Sequence, residues 1–213
     1  RPRIHEMLPM LMTEPPTLAS RSCRATVCVA NTWWRRLRFR QLSQYSGVSS
    51  SSEYLVYVDS GVEEDFRAHE RGEGFAQTAE RAGATVRIIK ADRGEPMAAG
   101  RQALQRLQST TLPQGIAFAN DHLAAGAWLQ AHDIGIRVPQ EVALLGFGDF
   151  PIAAQLGGGI STLAAPRYAI GHNAGLKILS DLGSNAAPDV VASSLQPTLV
   201  VRNTTRPQAL SSP

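Results

Sequence analysis

From residue 54 onward, short apolar runs alternate with longer stretches in which apolar side chains recur at helical spacing. Residues 54–58, Tyr-Leu-Val-Tyr-Val, form a β-rich run that Asp59-Ser60-Gly61 ends. Residues 64–82 place Phe66, Phe75 and Ala79 at roughly helical spacing, with Gly83 as the stop. Residues 85–89 predict the next strand. Residues 96–107 predict a helix opened by Pro96, at a first-turn position that needs no amide proton. Residues 115–119 read as a third strand and 121–134 as a third helix. Gly135 ends that helix, because a residue without Cβ takes the left-handed conformation that closes the last turn. Pro139 then blocks a return to helix and biases Val138 toward an extended backbone. Val-Ala-Leu-Leu at 142–145 makes a fourth strand, 167–182 a fourth helix and 195–201 a closing extended segment. The run at 142–145 is of the kind buried on both faces in a parallel sheet. The alternation of strands with helices predicts an α/β fold of right-handed βαβ units around a parallel sheet. No internal repeat is present.

In such an open sheet, ligands bind in the crevice beyond the carboxyl ends of the strands, so candidate chemistry belongs in the loops there. After the third strand comes Asn120-Asp121. One of the pair is expected to cap the helix, which leaves its neighbour free to face the crevice. After the first strand, Arg67, His69, Glu70 and Arg71 lie near the start of a helix. They form either a solvated charged face or a site in which an arginine fork meets a carboxylate or vicinal hydroxyls. After the fourth strand, Gly146-Phe147-Gly148-Asp149 offers a carboxylate that either bonds its own turn or accepts hydrogen bonds from a polyol or a cationic group. Arg167 either begins a helix or meets an acidic ligand.

Ordered motifs then carry a resemblance. The run from Gly135 to Asp149, with Ala119-Asn120-Asp121-His122 before it and Ile160-Ser161-Thr162-Leu163 after it, resembles the effector-binding domain of the LacI/GalR transcriptional repressors. Gly-Phe-Gly-Asp followed by Pro166-Arg167-Tyr168-Ala169-Ile170-Gly171 is similar to the gluconate-repressor branch. The resemblance covers residues 53–206 and implies a periplasmic-binding-protein-like sensor of type I, mainly its carboxyl-terminal lobe. Residues 1–52 are left as a poorly matched leader and 207–213 as a tail. Arg71-Gly72-Glu73-Gly74-Phe75 matches an Arg-x-x-Gly-Phe pattern whose arginine reaches the effector in that family, and the asparagine of its Asn-Asp motif bonds effector hydroxyls. The implied effector-binding residues are therefore Arg71, Asn120, Asp149 and Arg167, with Arg67 in reserve. Many relatives carry an aspartate directly after the aromatic residue. Here that position is Gly148 and the carboxylate comes one place later, a displacement that can re-aim it away from the crevice. The resemblance also implies a small-molecule effector, a sugar or a sugar acid such as gluconate, and a homodimer. An apolar association surface is expected around 125–129 or along 170–182. Operator DNA is expected only through a helix-turn-helix headpiece that this sequence does not contain.

Composition narrows the classes further. At 43% hydrophobic and 18% charged residues the chain has an ordinary globular composition, and no apolar run is long enough to cross a bilayer. The net charge of +3 divides into +6 over residues 1–52 and −3 over the rest. The basic tract Trp33-Trp34-Arg35-Arg36-Leu37-Arg38-Phe39-Arg40 suits phosphates and stacked bases. Pro2, Pro9, Pro15 and Pro16 break up the 1–52 segment that holds it, however, and no helix-turn-helix pattern is found there, so a poorly structured leader ending in a serine linker is expected. The sequence does not start with Met, and an upstream part is expected. Cys23 and Cys28 give no disulfide framework and fit a reducing cytosol. Enzyme signatures fail one by one. Gly146-x-Gly148 lacks the third glycine of a dinucleotide fingerprint, and neither a phosphate loop nor a nucleophile elbow is present. The cysteines have no partners at zinc spacing. No catalytic residue, cofactor or metal is expected. The alternative is a periplasmic sugar-binding protein of a transport system, which predicts a signal peptide that the amino terminus does not show.

Overall fold

The structure is a computed structural model, and it describes residues 53–182 and 195–205. The expected leader, linker and tail lie outside the described residues. Within them, six strands form one sheet in the order β2-β1-β3-β4-β5-β6. They are β1 (Tyr54–Asp59), β2 (Thr85–Lys90), β3 (Gly115–Phe118), β4 (Ala143–Phe147), β5 (Ser161–Ala164) and β6 (Thr198–Val200). The helices are α1 (Phe66–Arg81), α2 (Pro96–Gln108), α3 (Asp121–Asp133), α4 (Pro151–Gln155) and α5 (Arg167–Asp181). Strands β1 to β5 pair in parallel, the arrangement that the alternation of strands and helices predicts; β2, at the edge, is largely exposed.

Three departures from what the sequence predicts have physical reasons. Strand β5 was not expected, because Ser161 and Thr162 are polar, yet both are fully buried and bonded. Strand β6 realises the closing extended segment but runs antiparallel to β5, with Thr162 opposite Val200. The sheet is therefore mixed at that edge. Helix α4 was also not expected; at five residues it is too short to show a period.

The step from β1 to β2 runs one way along the sheet, and the steps from β2 to β3 and β4 run the other. Right-handed crossovers then place α1 on one face and α2 with α3 on the opposite one. Leu55, Val56, Val58, Ile116 and Leu144 are fully buried between these layers. Helices α2 and α3 meet at backbone contact through two glycines. A Cβ on Gly126 would sit 1.9 Å from the Met97 carbonyl oxygen, and one on Gly100 would sit 2.0 Å from that of Leu123. Ala125 and Ala127 belong to this packed seam and are fully buried. That corrects the expectation of a surface around 125–129. Helix α5 is different, for none of its residues is buried. Tyr168, Ile170, Ile178, Leu179 and, just beyond it, Leu182 are all exposed.

Candidate functional site

The strand order reverses between β1 and β3, and in doubly wound sheets the ligand crevice opens at the carboxyl ends of the strands at that switch point. A cleft of about 390 Å³ lies there. Its walls include Ser60, Asp65, Asp92, Arg93, Asn120 and Leu123, from the loops that follow β1, β2 and β3.

Asn120 is the N-cap of α3, and its side-chain oxygen accepts from the Leu123 amide at 3.0 Å. The carboxamide oxygen is thus committed, and the Nδ2 donor is the group it can offer a ligand. Capping and cleft lining fall on one residue. The expectation that capping by one of the pair would free the other is corrected, because Asp121 is held too. It is fully buried, accepting from the Thr162 hydroxyl at 2.5 Å and from the Phe150 amide at 2.7 Å. Burial raises its pKa above the ordinary carboxylate value, against the pull of those two bonds. Gly146 makes room for it, since a Cβ there would stand 2.1 Å from Asp121 Oδ1.

Arg71 reaches from α1 to the ends of β3 and β4. Its Nη2 donates to the Ala119 carbonyl at 3.1 Å, and its guanidinium lies over the Phe147 ring, 4.2 Å from the centroid. Its Nε is buried without a hydrogen-bond partner. Arg71 is therefore no solvated surface charge, and the bond to Ala119 sets it directly beside Asn120. Nearby, burial pushes the Tyr57 phenol up to about 12 although Arg71 draws it down. Arg67 by contrast is largely exposed, 3.6 Å from Asp65.

The other two candidates lie on the far side of Phe147. Asp149 adopts φ +54°, and its Oδ1 accepts from Arg202 Nη2 at 2.7 Å. Arg167, exposed at the start of α5, donates to the Gly148 carbonyl and stands 5.3 Å from the Phe150 ring centroid. Of the four expected effector-binding residues only Asn120 lines the cleft; Arg71 is held at the carbonyl that precedes it, and Asp149 and Arg167 lie in and against the loop after β4. Sequence reasoning missed Arg202 and the lock made by Asp121. It named His69 but missed its pairing: Nδ1 lies 2.6 Å from the buried Asp59 carboxylate. An aspartate at the end of a buried strand was the available signal for that pair. Among the described residues no group of His, Cys, Asp or Glu is placed to hold a metal ion, and no helix is long and apolar enough to cross a membrane.

Comparison with known proteins places this geometry. A periplasmic binding protein-like domain family matches residues 53–205. The HTH-type transcriptional regulator GntR of Pseudomonas aeruginosa is 33% identical over 138 residues, covering 63% of this chain and 40% of that protein. The chain thus spans about two fifths of that relative's length. Among solved structures, a LacI family transcriptional regulator from Bifidobacterium animalis subsp. lactis shares the fold, with TM-score 0.69 at 22% identity over 86% of this chain and 63% of that one. A LacI family transcriptional regulator from Arthrobacter sp. FB24, in complex with lactose, gives TM-score 0.63 at 25% identity over 85% and 64%.

Proposed function

Because the chain belongs to the periplasmic binding protein-like domain family, with LacI/GalR-type transcriptional regulators as its relatives, we propose that it senses a small sugar acid for such a regulator. The observation that supports this most is Arg71. A guanidinium is held beside the ligand-facing amide of Asn120, with one buried nitrogen unpartnered and no ion pair of its own among the described residues. A ligand carboxylate would take the Arg71 fork, and ligand hydroxyls would accept from Asn120 Nδ2. Gluconate has this chemistry, one carboxylate on a polyol chain. The lactose complex of the Arthrobacter regulator supports a sugar-like ligand more broadly.

Such a ligand regulates only if it binds one arrangement of the protein better than another. In this reading the readout is operator DNA, bound through a helix-turn-helix headpiece beyond this sequence, by a homodimer in the cytoplasm. The exposed apolar residues of α5 serve the association. The relatives named above are regulators, which disfavours both an enzyme and a periplasmic transport protein. A thermal-shift screen of the chain against sugars, sugar acids and their phosphates tests the reading. A specific ligand at a hundredfold excess over Kd should stabilise the fold by about 2.7 kcal/mol. Stabilisation by neutral hexoses and not by acids would contradict the acid assignment.

A further inference from the structure

Beside Glu64, Asp65 and Asp92, which line the cleft itself, three carboxylates at the strand ends are each engaged elsewhere. Asp59 is held by His69 at 2.6 Å and by the Gly61 amide at 3.0 Å. Asp121 is held by Thr162 and the Phe150 amide. Asp149 is held by Arg202, whose Nη1 also donates to the Ile160 carbonyl at 2.9 Å. That last pair is well shielded, with side chains 20% and 31% exposed. Asp149 takes a left-handed backbone, a conformation that few residues with a Cβ adopt. Yet Asp149 lies only two residues beyond Phe147, the ring on which the Arg71 guanidinium rests.

We propose that Arg202 is a specificity-determining residue: by holding the Asp149 carboxylate against β5, it keeps a negative charge away from Arg71 and so selects anionic over neutral polyol ligands. The inference rests on the sugar-acid reading and names what enforces it. A freed carboxylate at position 149, two residues beyond the ring that carries the Arg71 guanidinium, would attract that charge. It would compete with the ligand's own carboxylate and offer neutral hydroxyls an acceptor instead. The Gly148–Phe150 backbone would survive the loss of Arg202, because Arg167 and Asp121 grip it independently.

The test uses the whole chain as wild type, Arg202→Met, Asp149→Ala and the double variant, titrated calorimetrically with gluconate and with glucose, and unfolded in urea. Arg202→Met should weaken gluconate binding by about tenfold and strengthen glucose binding. Adding Asp149→Ala should return gluconate affinity toward wild type, which a purely structural role for Arg202 does not predict. Equal weakness of the single and double variants, or no change on Arg202→Met, would overturn the proposal. If Arg202→Met does not fold, Arg202→Lys keeps the cation but not the fork and should shift the gluconate-to-glucose preference in the same direction; no shift refutes the idea. If the wild type binds neither probe, the sugar-acid reading fails and the urea data decide alone. Strong coupling between positions 149 and 202 then supports the clamp, and additivity refutes it.

Discussion

Alanine at Gly146 should unlock the ends of three strands. A Cβ there would lie 2.1 Å from Asp121 Oδ1 and 3.1 Å from its Cγ, so the carboxylate has to leave. Asp121 is short and fixed in the first turn of α3, so it cannot retreat and keep its partners. Moving it breaks the 2.5 Å bond from Thr162 and the 2.7 Å bond from the Phe150 amide. Hydrogen bonds to a charged group contribute about 1.5–3 kcal/mol each. The raised pKa of Asp121 says that the site stabilises the charge weakly, so the lower end applies and the loss should be about 3 kcal/mol. For a chain of this length that is a fall of roughly 6–12 °C in Tm. Thermal melting followed by near-ultraviolet dichroism measures it. The decisive control is Gly146→Ala in an Asp121→Ala background. With the clashing carboxylate already gone, the added alanine should cost less than about 1 kcal/mol. A Gly146→Ala variant that melts with wild type, or effects that simply add, would refute the lock.

Three further outcomes follow from the same structure. Burial raises the pKa of Asp121, so the native state holds its proton more tightly than the unfolded chain. Its contribution is then greatest below the ordinary aspartate value of 3.8 and is lost as pH rises through the raised native value. Urea unfolding should show the stability of wild type relative to Asp121→Asn declining across that window, and a rise would contradict the assignment. Gly126→Ala, which drives a Cβ into the Met97 carbonyl, should cost about 3 kcal/mol; Gly175→Ala in α5, where nothing lies within 4 Å, should stabilise by about 0.5–1 kcal/mol. Parallel chemical denaturation checks the pair, and equal effects would sink the packing argument. Ile178→Glu with Leu182→Glu should shift sedimentation of the chain from dimer to monomer, whereas a wild-type monomer at micromolar concentration would contradict association through α5.

The sequence made β1, β3 and β4 readable because each is apolar throughout, a pattern that only burial on both faces explains. It concealed β5, because Ser161 and Thr162 look like loop residues until their partners are known. Those partners, Thr204, Thr205 and Asp121, lie 41 to 44 residues away along the chain. Arg202 was hidden for the same reason, since its contact with Asp149 spans 53 residues. Asn120 was legible as a helix cap from its place after a strand and before a helix, and Arg71 was singled out by its motif. Neither showed that the Arg71 fork rests on the carbonyl next to Asn120. Helix α5 was legible as a helix from its apolar spacing, but spacing alone does not reveal that this face is left uncovered.

The most direct test of the account is calorimetric titration of wild type, Arg71→Ala and Asn120→Ala with gluconate. The account predicts binding to wild type. Removing the Arg71 guanidinium should cost about 2–5 kcal/mol, because the ligand's carboxylate is left without its partner. Asn120→Ala should cost less, about 1–3 kcal/mol, since it leaves neutral hydroxyls unpaired. Gluconate binding that Arg71→Ala leaves at wild-type strength would contradict the placement of the anionic end, and with it the central claim.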